Sequence, residues 1–245
     1  MDQTVPARER RTLGLAPVAA SSLLGPRRLE AVAPDDVRAF KELCRPLQLV
    51  RGDPVFLQGT RHSSSYFIEQ GLVRTYYTAP SGREVTLCYW SEGDLIGGPN
   101  LFGGGTHIWS SVAMRASRIL AIRGEELQEL SSTRPRFALW VAEVLMFKLK
   151  WVSMLFQLHG TESVSQRLPH LILMLCDIYG VREGGTIVIR HRLSQNDLAT
   201  LVGTSRQWTN KILGELTDRE LIRLERGQIV VLDEAGLAKL TGGSR

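Results

Sequence analysis

The sequence of 245 residues holds three cysteines, Cys44, Cys88 and Cys176, far apart and odd in number. It has no CxxC and no Cys/His cluster, which argues against a structural zinc site or a cysteine-ligated iron–sulfur cluster. Reduced thiols in a cytoplasm fit this usage. No stretch approaches the ~18 unbroken apolar residues of a membrane span, and Met1-Asp2-Gln3 opens without the apolar core of a secretion signal. The expectation is a cytoplasmic protein with no membrane partner. His62, His107, His159, His170 and His191 are scattered without an HxH pair. Paired catalytic carboxylates and nucleophile motifs are absent too, so neither an enzyme nor a metal site is expected. There is no internal repeat and no low-complexity tract beyond Gly103-Gly104-Gly105.

What is present is an ordinary globular composition, 43% hydrophobic and 22% charged, enough for one large domain or two smaller ones. Lys+Arg 30 against Asp+Glu 25 gives +5, so a nucleic-acid partner must be met by a local patch. Residues 1–26 are polar, then rich in Ala, Ser, Gly and Pro, and read as a flexible arm carrying Arg8, Arg10 and Arg11. Residues 27–134 contain short apolar runs separated by turn signals. Among them Val85, Leu87 and Tyr89 alternate with Glu84, Thr86 and Cys88 in strand periodicity. Many short strands at ~8–12 residue spacing predict a small antiparallel barrel or jelly roll.

At Pro135 the period changes, and residues 135–160 read as one long helix. Ala138, Ala142, Leu145, Leu149, Val152 and Phe156 form a heptad seam. Val141, Val144, Phe147, Trp151, Leu155 and Leu158 widen the apolar surface, so two sides must be buried. One side can face a twin helix and the other the barrel. Gly160-Thr161 reads as a hinge, and residues 161–245 form the last unit. Ser194 is placed to cap a helix carrying Leu198, Leu201 and Val202, ended by Gly203. Thr204 with Gln207 fits the capping box of a second helix. Two strands around Arg226-Gly227 complete a winged helix-turn-helix. The second helix offers Ser205, Arg206, Gln207, Thr209, Asn210 and Lys211 to bases, while Ser194, Gln195 and Asn196 suit phosphates.

This order resembles the cyclic-AMP receptor protein/FNR family of bacterial transcription regulators. The likeness covers about residues 40–232 and rests on Leu57-Gln58-Gly59, Tyr66-Phe67-Ile68-Glu69-Gln70-Gly71 and Gly82-Arg83-Glu84-Val85. It continues through Glu92-Gly93-Asp94-Leu95-Ile96-Gly97, Leu101-Phe102 and Val202-Gly203-Thr204-Ser205-Arg206. The resemblance implies an α+β chain: an N-terminal cyclic-nucleotide-binding-like β-roll, a long dimerisation helix and a C-terminal winged helix-turn-helix. It also implies a homodimer on a palindromic double-stranded DNA operator, with RNA polymerase as a further partner. Nucleotide-binding members carry a ribose-binding glutamate and a phosphate-binding Arg-Ser pair. Here those positions resemble Gly98, Ile108 and Trp109, and the adenine-facing helix positions resemble Val152 and Ser153. The effector pocket expected from Trp90, Gly98, Pro99, Asn100, Leu101, Ile108, Trp109, Leu149, Val152 and Ser153 is apolar and aromatic. It suits a small hydrophobic or aromatic effector other than cyclic AMP. An effector-independent regulator and a haem-based gas sensor are the alternatives. Haem has formal axial candidates in His62, His107, Cys44 and Cys88, without an attachment motif.

Overall fold

The computed structural model describes residue 29 and residues 32–241, with residues 191 and 226 excepted. The arm expected over residues 1–26, including its basic cluster, lies outside the described residues, as do His191 and Arg226.

The N-terminal unit opens with helix α1 (Pro34–Leu43), followed by eight strands. These are β1 (Arg45–Leu49), β2 (Pro54–Phe56), β3 (Ser64–Gln70), β4 (Leu72–Thr78), β5 (Glu84–Ser91), β6 (Leu95–Ile96), β7 (Ser110–Ala113) and β8 (Ser117–Arg123). They form two four-stranded sheets, ordered β1-β8-β3-β6 and β2-β7-β4-β5, with antiparallel pairing throughout. This is the expected β-roll. In β5 the periodicity misleads. Cys88 points inward, Thr86 is buried on the other face beside Arg74, whose Nε donates to its hydroxyl at 2.9 Å, and Val85 is exposed. The pairing steps from Thr75–Cys88 to Tyr76–Thr86, which leaves Leu87 as the extra residue of a bulge and reverses the parity beyond it. The carbonyl of Leu87 accepts the indole N–H of Trp151 at 2.9 Å.

Helix α2 (Gly124–Thr133) leads into α3 (Pro135–Thr161), 27 residues long with Pro135 in its first turn. Helix α4 (Val164–Tyr179) follows. The expected hinge at Gly160-Thr161 falls inside the last turn of α3. The break comes at Glu162-Ser163, where Gln166 Oε1 accepts from the Ser163 amide at 3.0 Å and from its hydroxyl at 2.7 Å. Those bonds start the new helix, and a glycine in a last exposed turn costs only about 1 kcal/mol. The C-terminal unit contains β9 (Gly180–Glu183), β10 (Thr186–Ile189), α5 (Gln195–Val202), α6 (Arg206–Asp218), β11 (Ile222–Glu225), β12 (Gln228–Val231) and α7 (Glu234–Ala238). Its sheet runs β11-β12-β10-β9.

Two cores hold the molecule. One packs Phe40, Phe67, Phe137 and Trp140 around the start of α3. The other runs from the roll interior past Phe147, Trp151 and Leu155 into Leu198, Ile212 and Leu216. Tyr89 Oη lies 3.3 Å from Thr200 Oγ1, which ties β5 to α5. Among the described residues no helix is long and apolar enough to cross a membrane.

Candidate nucleic-acid interface and β-roll interior

The first helix of the C-terminal pair is built from a reciprocal cap. Ser194 Oγ accepts from the Asp197 amide at 3.2 Å, and Asp197 Oδ2 accepts from the Ser194 amide at 2.8 Å and its hydroxyl at 2.7 Å. Gly203 ends α5 at φ 71°, the left-handed region where a side chain would strain. The second helix is capped by Ser205, whose Oγ accepts from the Trp208 amide at 3.1 Å. Thr204 is not the cap. It belongs to the turn instead, its amide bonded to the Ala199 carbonyl.

The exposed arc of α6 carries Arg206, Gln207, Asn210 and Lys211. Thr209 does not belong to it. Its side chain is fully buried, with Ile212, Leu213 and Leu216, because positions 209, 212, 213 and 216 repeat on the core side of the helix. Its hydroxyl has no hydrogen-bond partner among the described residues. Ser194 and Asn196 are exposed and Gln195 half-buried at the start of α5. One residue of this face was not foreseen: Trp208 is 40% exposed, with Lys211 Nζ 4.8 Å above its ring. An apolar residue on a polar arc carries no periodic signal. Lys211 also lies 3.9 Å from Glu215.

The joint behind this pair is closed by side-chain N–H donors on backbone carbonyls. Arg167 donates to the carbonyls of Glu162 at 3.1 Å, His159 at 3.1 Å and Val202 at 3.3 Å. His159 Nε2 lies 3.0 Å from the Leu201 carbonyl, which can only accept, so the proton sits on Nε2. The Arg167 guanidinium at the last carbonyl of α5 complements the helix dipole.

Inside the roll, the residues expected to form a pocket divide. Trp90, Gly98 and Leu101 are buried, Trp109 is half-buried, and Pro99, Asn100 and Ile108 are exposed. Trp90 donates to Thr75 Oγ1 at 2.9 Å and meets Phe147 and the Lys148 ammonium from α3. Trp109 donates to the Gly97 carbonyl at 3.1 Å. Leu149, Val152 and Ser153 are exposed in the protomer; the helix residues that cover Trp90 are Phe147 and Lys148.

The interior beside Gly98 is filled by residues the pocket reading left out. His62 and His107 are both buried, with ring centroids 4.3 Å apart, and Phe56 stacks on His107 at 4.1 Å and near Tyr66 at 5.5 Å. The Gly98 amide donates to His62 Nε2 at 3.3 Å, and a Cβ at Gly98 would stand 2.8 Å from the same ring. Burial holds both imidazoles below their ordinary range. His107, also repelled by His62, falls to about 4. The two imidazoles are therefore neutral packing groups at pH 7. Cys44 and Cys88 are thiols pushed up by burial, Cys44 to about 12. Among the described residues no group of three or more His, Cys, Asp or Glu is placed to hold a metal ion.

The long helix splits as its two apolar sets suggest. Val141, Val144, Phe147, Trp151, Leu155 and Leu158 are buried on their own protomer. Along the opposite stripe Leu145 is 38% exposed, Leu149 68%, Val152 54% and Phe156 79%.

Residues 46–134 match the cyclic nucleotide-binding domain and residues 166–240 the Crp-like helix-turn-helix domain. A CRP-like cAMP-activated global transcriptional regulator of Mycobacterium tuberculosis is 29% identical over 211 residues, covering 86% of this chain and 94% of that protein. The cyclic AMP receptor protein of Thermus thermophilus is 28% identical, covering 86% and 95%. A structure of a CooA mutant from Carboxydothermus hydrogenoformans superposes with a TM-score of 0.73 over 83% of this chain and 89% of its own, at 19% identity. That likeness is one of fold.

Proposed function

Because the chain belongs to the Crp/Fnr family of transcription regulators, not to an enzyme family, we propose that it acts as a cytoplasmic homodimer. The dimer reads a palindromic operator and presents bound promoter DNA to RNA polymerase. The exposed apolar stripe Leu145–Leu149–Val152–Phe156 carries this reading. It has heptad spacing and lies on a helix whose other side is already covered. Such a stripe is stable in water only when a second copy buries it isologously. Each recognition helix then presents Arg206, Gln207 and Lys211 to one half-site, about one helical turn from the other. Light scattering at micromolar concentration tests the dimer, and a monomeric mass overturns it.

The β-roll is read as not responding to cyclic AMP, although the Mycobacterium and Thermus relatives are named for that nucleotide. Gly98, Ile108 and Trp109 supply neither the carboxylate nor the guanidinium that ribose and phosphate require. Each charge-assisted contact is worth roughly 1.5–3 kcal/mol, so losing two weakens binding by a few orders of magnitude. Restoring them by Gly98→Glu with Ile108→Arg is expected to fail while His62 fills the space beside residue 98. The same pair with His62→Ala should bind. Calorimetry checks both, and micromolar binding by the unmodified protein would sink this reading. The favoured effector is a small apolar or aromatic molecule admitted past Ile108 and Trp109, and Trp109→Ala should abolish its effect. The stacked Phe56–His107–His62 interior favours a second reading, a regulator needing no effector.

A further inference from the structure

A cleft of about 760 Å³ opens between the β-roll and the DNA-reading unit, away from the roll interior. Its walls carry five cationic side chains, Lys41, Arg115, Arg118, Arg190 and Arg192, against two acidic ones, Glu69 and Glu92. Among the described residues the imbalance is offset only in part. Glu69 is shared by Arg118 at 2.9 Å and Lys41 at 3.7 Å. Arg115 donates to the Gly71 carbonyl, which carries no charge. Neither Arg115 nor Arg192 forms an ion pair among the described residues. Among the described residues Arg190 alone has a carboxylate of its own, Glu183. The remaining wall is formed by Val37, Ser91, Gly93, the buried Phe67 and Leu72, and the half-buried Tyr179.

A cationic rim beside the ring of Tyr179 fits one ligand chemistry: a phosphorylated molecule with a flat, weakly polar body. The volume is in the range of small-molecule sites. We propose that this cleft binds a nucleotide-sized organophosphate that bridges the β-roll, through Arg115 and Arg118, to Arg190 and Arg192, which precede α5. A ligand held by both walls fixes the angle at which the recognition helix leaves the roll, so DNA affinity and ligand affinity change together. This site is separate from the roll interior and does not rest on what that interior binds.

The test uses the full chain with two probes, inorganic pyrophosphate and adenosine 5′-triphosphate, each without metal, followed by calorimetry and thermal unfolding. Adenosine triphosphate should bind and raise the melting temperature, and pyrophosphate should bind more weakly because it lacks the flat body. Arg115→Ala combined with Arg192→Ala, both exposed positions, should weaken binding at least tenfold while the unliganded melting temperature stays put. Glu92→Gln should tighten it, and Arg206→Ala, on the DNA-reading face, should leave it unchanged. Absence of binding by either probe at millimolar concentration overturns the proposal, as does equal binding by the Arg115/Arg192 variant. Loss of operator affinity in that variant without any response to the probes would also overturn it, and would assign the rim to the DNA backbone.

Discussion

His107 is an imidazole kept neutral by burial and, second, by His62, and that makes it a source of acid sensitivity. Its folded value, about 4, lies below the ordinary 6.5. The unfolded chain therefore takes up the proton first as pH falls. Stability is complete above pH 6.5, declines between 6.5 and about 4, and levels off below. Asp94, raised by burial to about 6, has the opposite sign between 3.8 and 6, because there the folded state holds the proton. The difference between unmodified protein and His107→Phe isolates the imidazole. The variant keeps the ring stack and should lose less melting temperature on acidification from pH 7 to 5; equal losses would refute this assignment. Gly214 sits exposed in the middle of α6 with open space around the missing Cβ. Gly214→Ala should stabilise that helix by about 1 kcal/mol. If the helix backbone approaches DNA closely at this point, the same change should weaken operator binding, which a gel-shift titration measures.

At the scale of elements, α3 was the most legible part of the chain. Its two apolar sets, interleaved at 3- and 4-residue steps, appear as one buried side and one bare stripe. Phe156→Ala removes an exposed ring from each protomer, worth roughly 1.5–3 kcal/mol per side chain buried. Counted over two protomers it should raise the dimer dissociation constant by about a hundredfold or more. Leu145→Lys and Val152→Asp should act in the same direction, and sedimentation velocity with unchanged circular dichroism checks all three. For α6, Arg206→Ala should cost roughly 1–3 kcal/mol and relax selectivity at one base pair. Binding-site selection that returns an unaltered motif would refute it. The misreadings also have physical causes. The short helices α1, α2 and α7 turn only one side inward, and their apolar residues are too few to announce a period. The β5 strand was foreseen but its inner side was not, because one bulged residue exchanges the two sides. Thr209 has the chemistry of a base-reading residue and the helical position of a core one, and position decided.

At the scale of the whole molecule, what sequence reading could not supply was the meeting of distant segments. The interdomain cleft draws on Lys41 and Arg192, some 150 residues apart. His62 and Gly98 meet only because β3 and β6 pair and bring their flanking loops together. The joint formed by Arg167 and His159 is equally non-local. Arg167→Ala should lower the cooperativity of thermal unfolding between the two units, seen as a broadened or split calorimetric transition, while one sharp peak would argue against it. The bond from Trp151 to the bulged Leu87 carbonyl has a mechanical consequence. It pins the long helix at one height along β5, so sliding is opposed and tilting about that pin is the softer motion. From Trp151 to Thr161 the helix reaches on about 15 Å. A tilt of about 10° at this fulcrum would sweep the far end, and the DNA-reading unit hung from it, through about 2.6 Å, nearly half a helical pitch.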